Sequence, residues 1–168
     1  MDNIDNIDNI PVYELASAIR ERMVRLSLTL SVAESCTGGR IAASLTSISG
    51  ASEYFQGGLV AYQNRLKEEF LGVAESVICE YDVVSQPVVE QMVKGACAMF
   101  HTDCAIASTG YAGDGNGHIP AGTIWLAWGT TSDVHSLCLK HDDGREENTA
   151  RATRVALSRF LSWLSKMG

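Results

Sequence analysis

The chain has 168 residues, 46% of them hydrophobic, and a formal net charge of −7 at pH 7. This length suits one domain that buries roughly two-thirds of the surface its unfolded form would expose, and no apolar run approaches the roughly 18 residues of a membrane span. An acidic chain without a Lys/Arg stripe disfavours nucleic acid and anionic membranes as main partners, since both demand clustered cations, and leaves a small molecule as the expected ligand.

The first ten residues, MDNIDNIDNI, repeat Asp-Asn-Ile three times. They are too short and polar to bury a face, so residues 1–10 read as a disordered or loosely docked arm and 11–168 as a single domain. The start lacks the basic flank and apolar centre of a secretory signal, which gives a cytoplasmic expectation. After Pro11, the spacing of Val12, Leu15, Ile19, Met23 and Leu26 predicts an amphipathic helix. Leu28 to Val32 reads as a strand leading into Glu34-Ser35-Cys36-Thr37-Gly38-Gly39, and Arg40 opens a helix ending near Ile48. A second strand, Gly57 to Tyr62, runs into a helix from Asn64 to Leu71 that Gly72 stops.

From Gln86 the spacing of Val88, Val89, Met92, Val93, Ala96, Met99 and Phe100 predicts another helix, followed by a buried strand from Cys104 to Ala107. Ser108 to Gly117 reads as a glycine-rich loop. Thr123 to Trp128 and Val134 to Leu139 read as a hairpin, and a helix from Glu146 to Lys166 closes the chain. This alternation predicts a three-layer α/β/α domain with a mixed, mainly parallel sheet of about five strands, one of them antiparallel.

In such sheets ligands collect where strands end and helices begin, because helix N-termini expose unpaired N–H groups. Two segments meet this condition. At Glu34 to Gly39, small residues allow a sharp turn, and a nucleophile there would lie beside amide donors. The same pattern also suits a mere helix cap, with Thr37 as the capping residue. The second segment, Ser108 to Gly117, suits a nest of N–H groups around phosphate or carboxylate. Neither is a G-x-x-x-x-G-K-[ST] phosphate loop. Cys36 is an alternative nucleophile to Ser35, although a cysteine among small residues usually serves packing. By default Lys67 is a solvated lysine and Tyr62 a strand aromatic. The four histidines show no metal-ligand or Ser-His spacing, and the five cysteines, odd in number and without C-x-x-C, argue against disulfides or a thiolate zinc site.

Three blocks carry a resemblance that spans Ser31 to about Leu164: SVAESCTGG at 31–39, FQGGLVAYQNRLKEEFLGV at 55–73 and STGYAGDGNGHIPAGTIWLA at 108–127. They resemble the AESCTGG, GGxVAYxNxxK and TGIAGPxGG…PVGTV segments of the C-terminal domain of the competence/damage-inducible protein CinA, a family that includes stand-alone nicotinamide-mononucleotide amidohydrolases. VSQPVVEQM at 84–92 and Gly144-Arg145-Glu146 are similar to further family segments.

The resemblance implies that fold and hydrolysis of nicotinamide mononucleotide to nicotinate mononucleotide and ammonia, by a serine nucleophile without metal or cofactor. It places Ser35 as nucleophile, with Lys67 or Tyr62 as the base. Glu34, Thr37, Gly38, Gly39, Asn64, Thr109, Gly110, Ala112, Gly113 and Arg145 are implied to contact the nucleotide, with oxyanion donors around Gly38 and Gly39. A homo-oligomer is the family's habit. The chain departs from the family pattern at Tyr111 and Asp114, where Ile and Pro are usual, and at Thr149, where an arginine is usual. These departures bear on the substrate more than on the nucleophile. The family's separate N-terminal pyrophosphatase-like domain has no counterpart in this sequence, so its activity is not carried over.

Overall fold

The computed structural model describes residues 10–167, so the Asp-Asn-Ile arm lies outside the described residues except for Ile10, which packs against the core. The elements in chain order are α1 (Val12–Leu26), β1 (Leu30–Glu34), α2 (Arg40–Thr46), β2 (Phe55–Val60), α3 (Asn64–Leu71), α4 (Glu75–Tyr81), α5 (Gln86–Phe100), β3 (Cys104–Tyr111), β4 (Thr123–Gly129), β5 (Val134–Lys140) and α6 (Arg145–Leu164). The sheet order is β2-β1-β3-β4-β5. β1 pairs in parallel with β2 and β3, while β4 pairs antiparallel with β3 and β5, so four strands share one direction and β4 alone is reversed. This is the expected mixed α/β sheet.

Alternation along the strands gives the sheet two unlike faces. Leu30, Val32, Ile106, Ile124 and Leu126 point towards α1, α2 and α6, where they meet Leu15, Ile19, Ile41, Leu45 and Phe160. Ala33, Ala105, Ala107 and Ala127 point the other way, and these small side chains bring Val88, Val89, Met92, Val93 and Ala96 of α5 close to the sheet. Extra volume on the alanine face would overpack it, a change that typically costs about 1–3 kcal/mol.

Several boundaries differ from the sequence reading for local reasons. β1 starts at Leu30 rather than Leu28, because α1 ends on left-handed Ser27 (φ 53°) and the Leu28 amide closes the helix by donating to the Met23 carbonyl. β3 runs to Tyr111 rather than Ala107. Ser108 to Tyr111 pair with Thr123 to Leu126 of β4, so the first four residues of the expected glycine loop are strand. Between Ser108 and Gly117 only Gly117 has a left-handed φ, which removes the expected nest of successive amides. Gly110 serves instead a close approach of strands, since a Cβ there would lie 2.6 Å from Ile124. α4 was not expected from the sequence. It fully buries no residue and rests on the core only through half-buried Val77 and Ile78, too short a pattern to read as a helix.

Candidate active site

β1 ends at Glu34, one residue before Ser35, on the edge of the sheet where the α2 turn begins. The Glu34 carboxylate is fully buried and accepts the amides of Ile41 (2.9 Å) and Ala42 (3.0 Å) in the first turn of α2, together with the Thr37 hydroxyl at 2.7 Å. Glu34 is therefore the cap of α2, the part expected of Thr37. The Thr37 proton goes to the carboxylate, so the Ser108 hydroxyl 2.7 Å away donates to Thr37. Successive left-handed glycines, Gly38 (φ 57°) and Gly39 (φ 95°), turn the chain sharply, and the Gly38 amide donates back to the Ser35 carbonyl at 3.0 Å. Among the described residues, the amides of Cys36, Thr37 and Gly39 donate to no oxygen acceptor.

Lys67, on α3, is 1% exposed, which overturns its default reading as a surface lysine. Its Nζ lies 3.0 Å from Ser35 Oγ and 2.9 Å from the Ala61 carbonyl. Ala61 is fixed in turn, because its amide donates to the Glu34 carbonyl at 2.7 Å and joins the end of β2 to the end of β1. Burial lowers the Lys67 pKa to about 8, so near neutrality a fraction of the side chain is the free amine. Cys36 meets the opposite fate. Burial pushes its thiol up to about 12, which leaves it protonated and a poor nucleophile at neutral pH.

Ser35 and Lys67 form the floor of a cavity of about 260 Å³. Its walls are Val83 and Val84 from the turn before α5, Thr109 to Ala112 at the end of β3, and Asn64. Tyr62, Asp114 and Arg145 stand at the rim. The Thr109 hydroxyl is spent on the Val83 carbonyl at 3.0 Å, which holds one wall to β3. That turn is further tied by Asp82, whose carboxylate accepts the Val84 amide at 2.9 Å, the Asn116 side-chain amide at 2.9 Å and the Tyr111 hydroxyl at 3.3 Å.

The structure thus brings Ser35, Lys67, Tyr62, Asn64, Thr109, Gly110, Ala112 and Arg145 around one cavity, but not all of the expected set. Glu34 and Thr37 lie buried beneath it, and both Glu34 oxygens are committed to α2, so neither side chain reaches a ligand. Gly38 and Gly39 shape the turn without lining the cavity. Gly113 braces Arg145, whose guanidinium lies within 2.8 Å of where a Cβ would stand. Tyr62 is 55% exposed and bonds to neither Ser35 nor Lys67 among the described residues, whereas Lys67 Nζ lies at hydrogen-bond distance from Ser35 Oγ. Thr149 is buried and its hydroxyl donates to the carbonyls of Arg145 and Glu146, away from the rim. Val83, Val84 and the Ala61 carbonyl were missed as cavity or anchoring groups, and no motif marks them. Cys36 and Asp114 also line the cavity, and the sequence marks them as an alternative nucleophile and as a charge where the family shows proline.

Residues 12–164 match the model of the CinA C-terminal domain family. The nicotinamide-nucleotide amidohydrolase PncC of Pseudomonas putida is 40% identical over 153 residues, which is 90% of this chain and 96% of that protein. The PncC of Shewanella oneidensis is 44% identical over 128 residues, 75% of this chain but only 30% of that longer protein. Among solved structures, the competence or damage-inducible protein from Enterobacter asburiae superposes with a TM-score of 0.90 at 28% identity, over 93% of this chain and 99% of that one. The competence/damage inducible protein CihA from Agrobacterium tumefaciens reaches a TM-score of 0.86 at 35% identity, over 92% and 95% of the two chains. With the match running from α1 to the end of α6, this chain belongs to the CinA C-terminal domain family.

Proposed function

We propose that the chain hydrolyses the amide of nicotinamide mononucleotide to nicotinate mononucleotide and ammonia, a step of pyridine nucleotide salvage, with Ser35 as nucleophile and Lys67 as its base. The observation that carries this reading is the buried Lys67 amine 3.0 Å from Ser35 Oγ, with a pKa lowered to about 8. The printed name of the Pseudomonas putida relative, which this chain matches almost end to end, supports the substrate.

An amide is a poor electrophile and its nitrogen a poor leaving group, so the serine needs a base and the nitrogen needs a proton. Lys67 supplies both. One amine N–H is anchored on the Ala61 carbonyl, which leaves the lone pair free to take the Ser35 proton as Oγ attacks the amide carbon. The resulting ammonium then protonates the departing nitrogen, ammonia leaves, and an acyl-enzyme ester remains on Ser35. Water attacks that ester with Lys67 again as base, which releases the carboxylate and restores the serine. The amide of Cys36, which lines the cavity and donates to no oxygen acceptor among the described residues, is the donor nearest in sequence for the oxyanion; one such donor is worth about 10²–10³ in kcat in other hydrolases. Arg145, the exposed cation of the rim, meets the phosphate.

A second reading, a substrate-shifted or non-catalytic nucleotide binder, is favoured by one feature. Asp114 places a carboxylate on the same rim as Arg145 and weakens its pull on phosphate. Ammonia measured after incubation of folded protein with nicotinamide mononucleotide separates the two. Release above blank supports the amidohydrolase, and none from protein with a normal circular dichroism spectrum overturns it.

A further inference from the structure

Where β4 ends and β5 begins, at the other end of the sheet from Ser35, a separate cavity of about 360 Å³ lies against the last turns of α6. Its chief lining residues are Trp128, Asp133, His135, Arg159, Trp163 and Lys166, none of them shared with the Ser35 cavity. Three rings form its wall. His135 stacks on Trp128 with centroids 6.3 Å apart and planes 17° apart, and Trp163 tilts against His135 at 6.4 Å. Asp133 holds this arrangement in place: one carboxylate oxygen accepts the Trp163 indole N–H at 3.1 Å, and the other lies 3.0 Å from His135 Nε2.

The fixed charges around this cavity do not balance, with one carboxylate, Asp133, against two cations, Arg159 and Lys166. Both oxygens of Asp133 are engaged, and hydrogen bonds from Trp163 and His135 hold its carboxyl below the usual carboxylate range. Trp128 Nε1 and Arg159 Nε are buried and unpartnered among the described residues, and neither Arg159 nor Lys166 forms an ion pair there. Lys166 is exposed and Arg159 half-buried, so both cations can meet an anion in the cavity beside the aromatic wall. Flat rings fit against indole and imidazole faces, and guanidinium groups fit carboxylate or phosphate.

We infer that this cavity is a second ligand site, which takes a small flat aromatic anion: its ring against Trp128, His135 and Trp163, its charged group on Arg159 and Lys166. The chemistry is shared by aromatic carboxylates and by nucleotides, so the test uses one of each. Of the three tryptophans in the chain, Trp125, Trp128 and Trp163, none lines the Ser35 cavity and two line this one. Indole fluorescence in a Trp125→Phe background is therefore read while nicotinate, adenosine monophosphate or ring-free inorganic phosphate is added.

Saturable quenching by nicotinate or by adenosine monophosphate, weakened at least tenfold by Lys166→Glu or Arg159→Gln and kept in Lys67→Met, supports the site and says which anion class it takes. Lys166 is exposed, so its variant folds whatever the fate of the other. Absence of quenching by both ringed anions overturns the site. Equal quenching by inorganic phosphate, or indifference to Lys166→Glu and Arg159→Gln together, overturns it as well.

Discussion

The floor and the rim of the Ser35 cavity are built on opposite principles. On the floor, Glu34, Ser35, Thr37, Lys67 and Ser108 are all buried, and each side chain is held by others within about hydrogen-bond distance. On the rim, Tyr62, Asp114 and Arg145 are exposed, and their side chains form no hydrogen bond with another described residue. The difference teaches where chemistry and selectivity reside. A buried network fixes the geometry and the pKa that a proton transfer needs, whereas exposed charges change affinity without disturbing that geometry. The departures from the family pattern at Tyr111 and Asp114 fall on the upper wall and rim, and the Ser35–Lys67 pair beneath is intact.

Substitutions can break or sharpen this division. The largest effect is expected at the nucleophile: Ser35→Ala lowers kcat for ammonia release by about 10⁴-fold or more. Cys36→Ala in parallel leaves most of it, and the reverse result makes the thiol the nucleophile. Lys67→Met follows, with a loss of about 10²–10⁴ in kcat. In the parent protein kcat/KM rises with pH and levels off above about 8, because the amine must be unprotonated to act. The same group carries a stability signature whose sign is opposite to that of an ordinary ion pair. Its pKa is lower folded, about 8, than the 10.5 of an exposed lysine, so the folded state is penalised below pH 8 and relieved as pH rises towards 10.5. Lys67→Met therefore raises the melting temperature more at pH 7 than at pH 10. A variant that melts alike to the parent at both values breaks the account of Lys67.

Glu34→Ala tests whether the floor is a network. It strips the cap from α2 and leaves buried amides unpaired, with an expected loss of about 2 kcal/mol in chemical denaturation. If stability holds while KM rises, Glu34 contacts ligand after all. At the rim, Arg145→Ala raises KM for the mononucleotide about tenfold with kcat little changed, the signature of a uniform binding contact. The smallest effect belongs to Tyr62→Phe, expected within about threefold in kcat, since removal of an exposed hydroxyl with no partner among the described residues breaks no proton path. A Tyr62→Phe loss as large as that of Lys67→Met would move the base to the rim and dissolve the distinction between the two regions.

Much of this was legible in the residues themselves. The apolar spacing of Val12 to Leu26, Val88 to Phe100 and Ala156 to Leu164 reads directly as α1, α5 and α6, because helical periodicity is set by neighbours three and four positions apart. The small residues from Ser35 to Gly39 announce a sharp turn between a strand and a helix for equally local reasons. The length of β3 was hidden because its last three residues, Thr109 to Tyr111, are strand only by pairing with β4, and glycine there reads as a loop until a close approach explains it. Tertiary structure alone decided that Glu34 caps a helix instead of meeting ligand, and that Lys67 is buried 32 residues along the chain from the serine it touches. Desolvation and hydrogen bonding depend on what packs around a group, and those neighbours are gathered from distant parts of the chain.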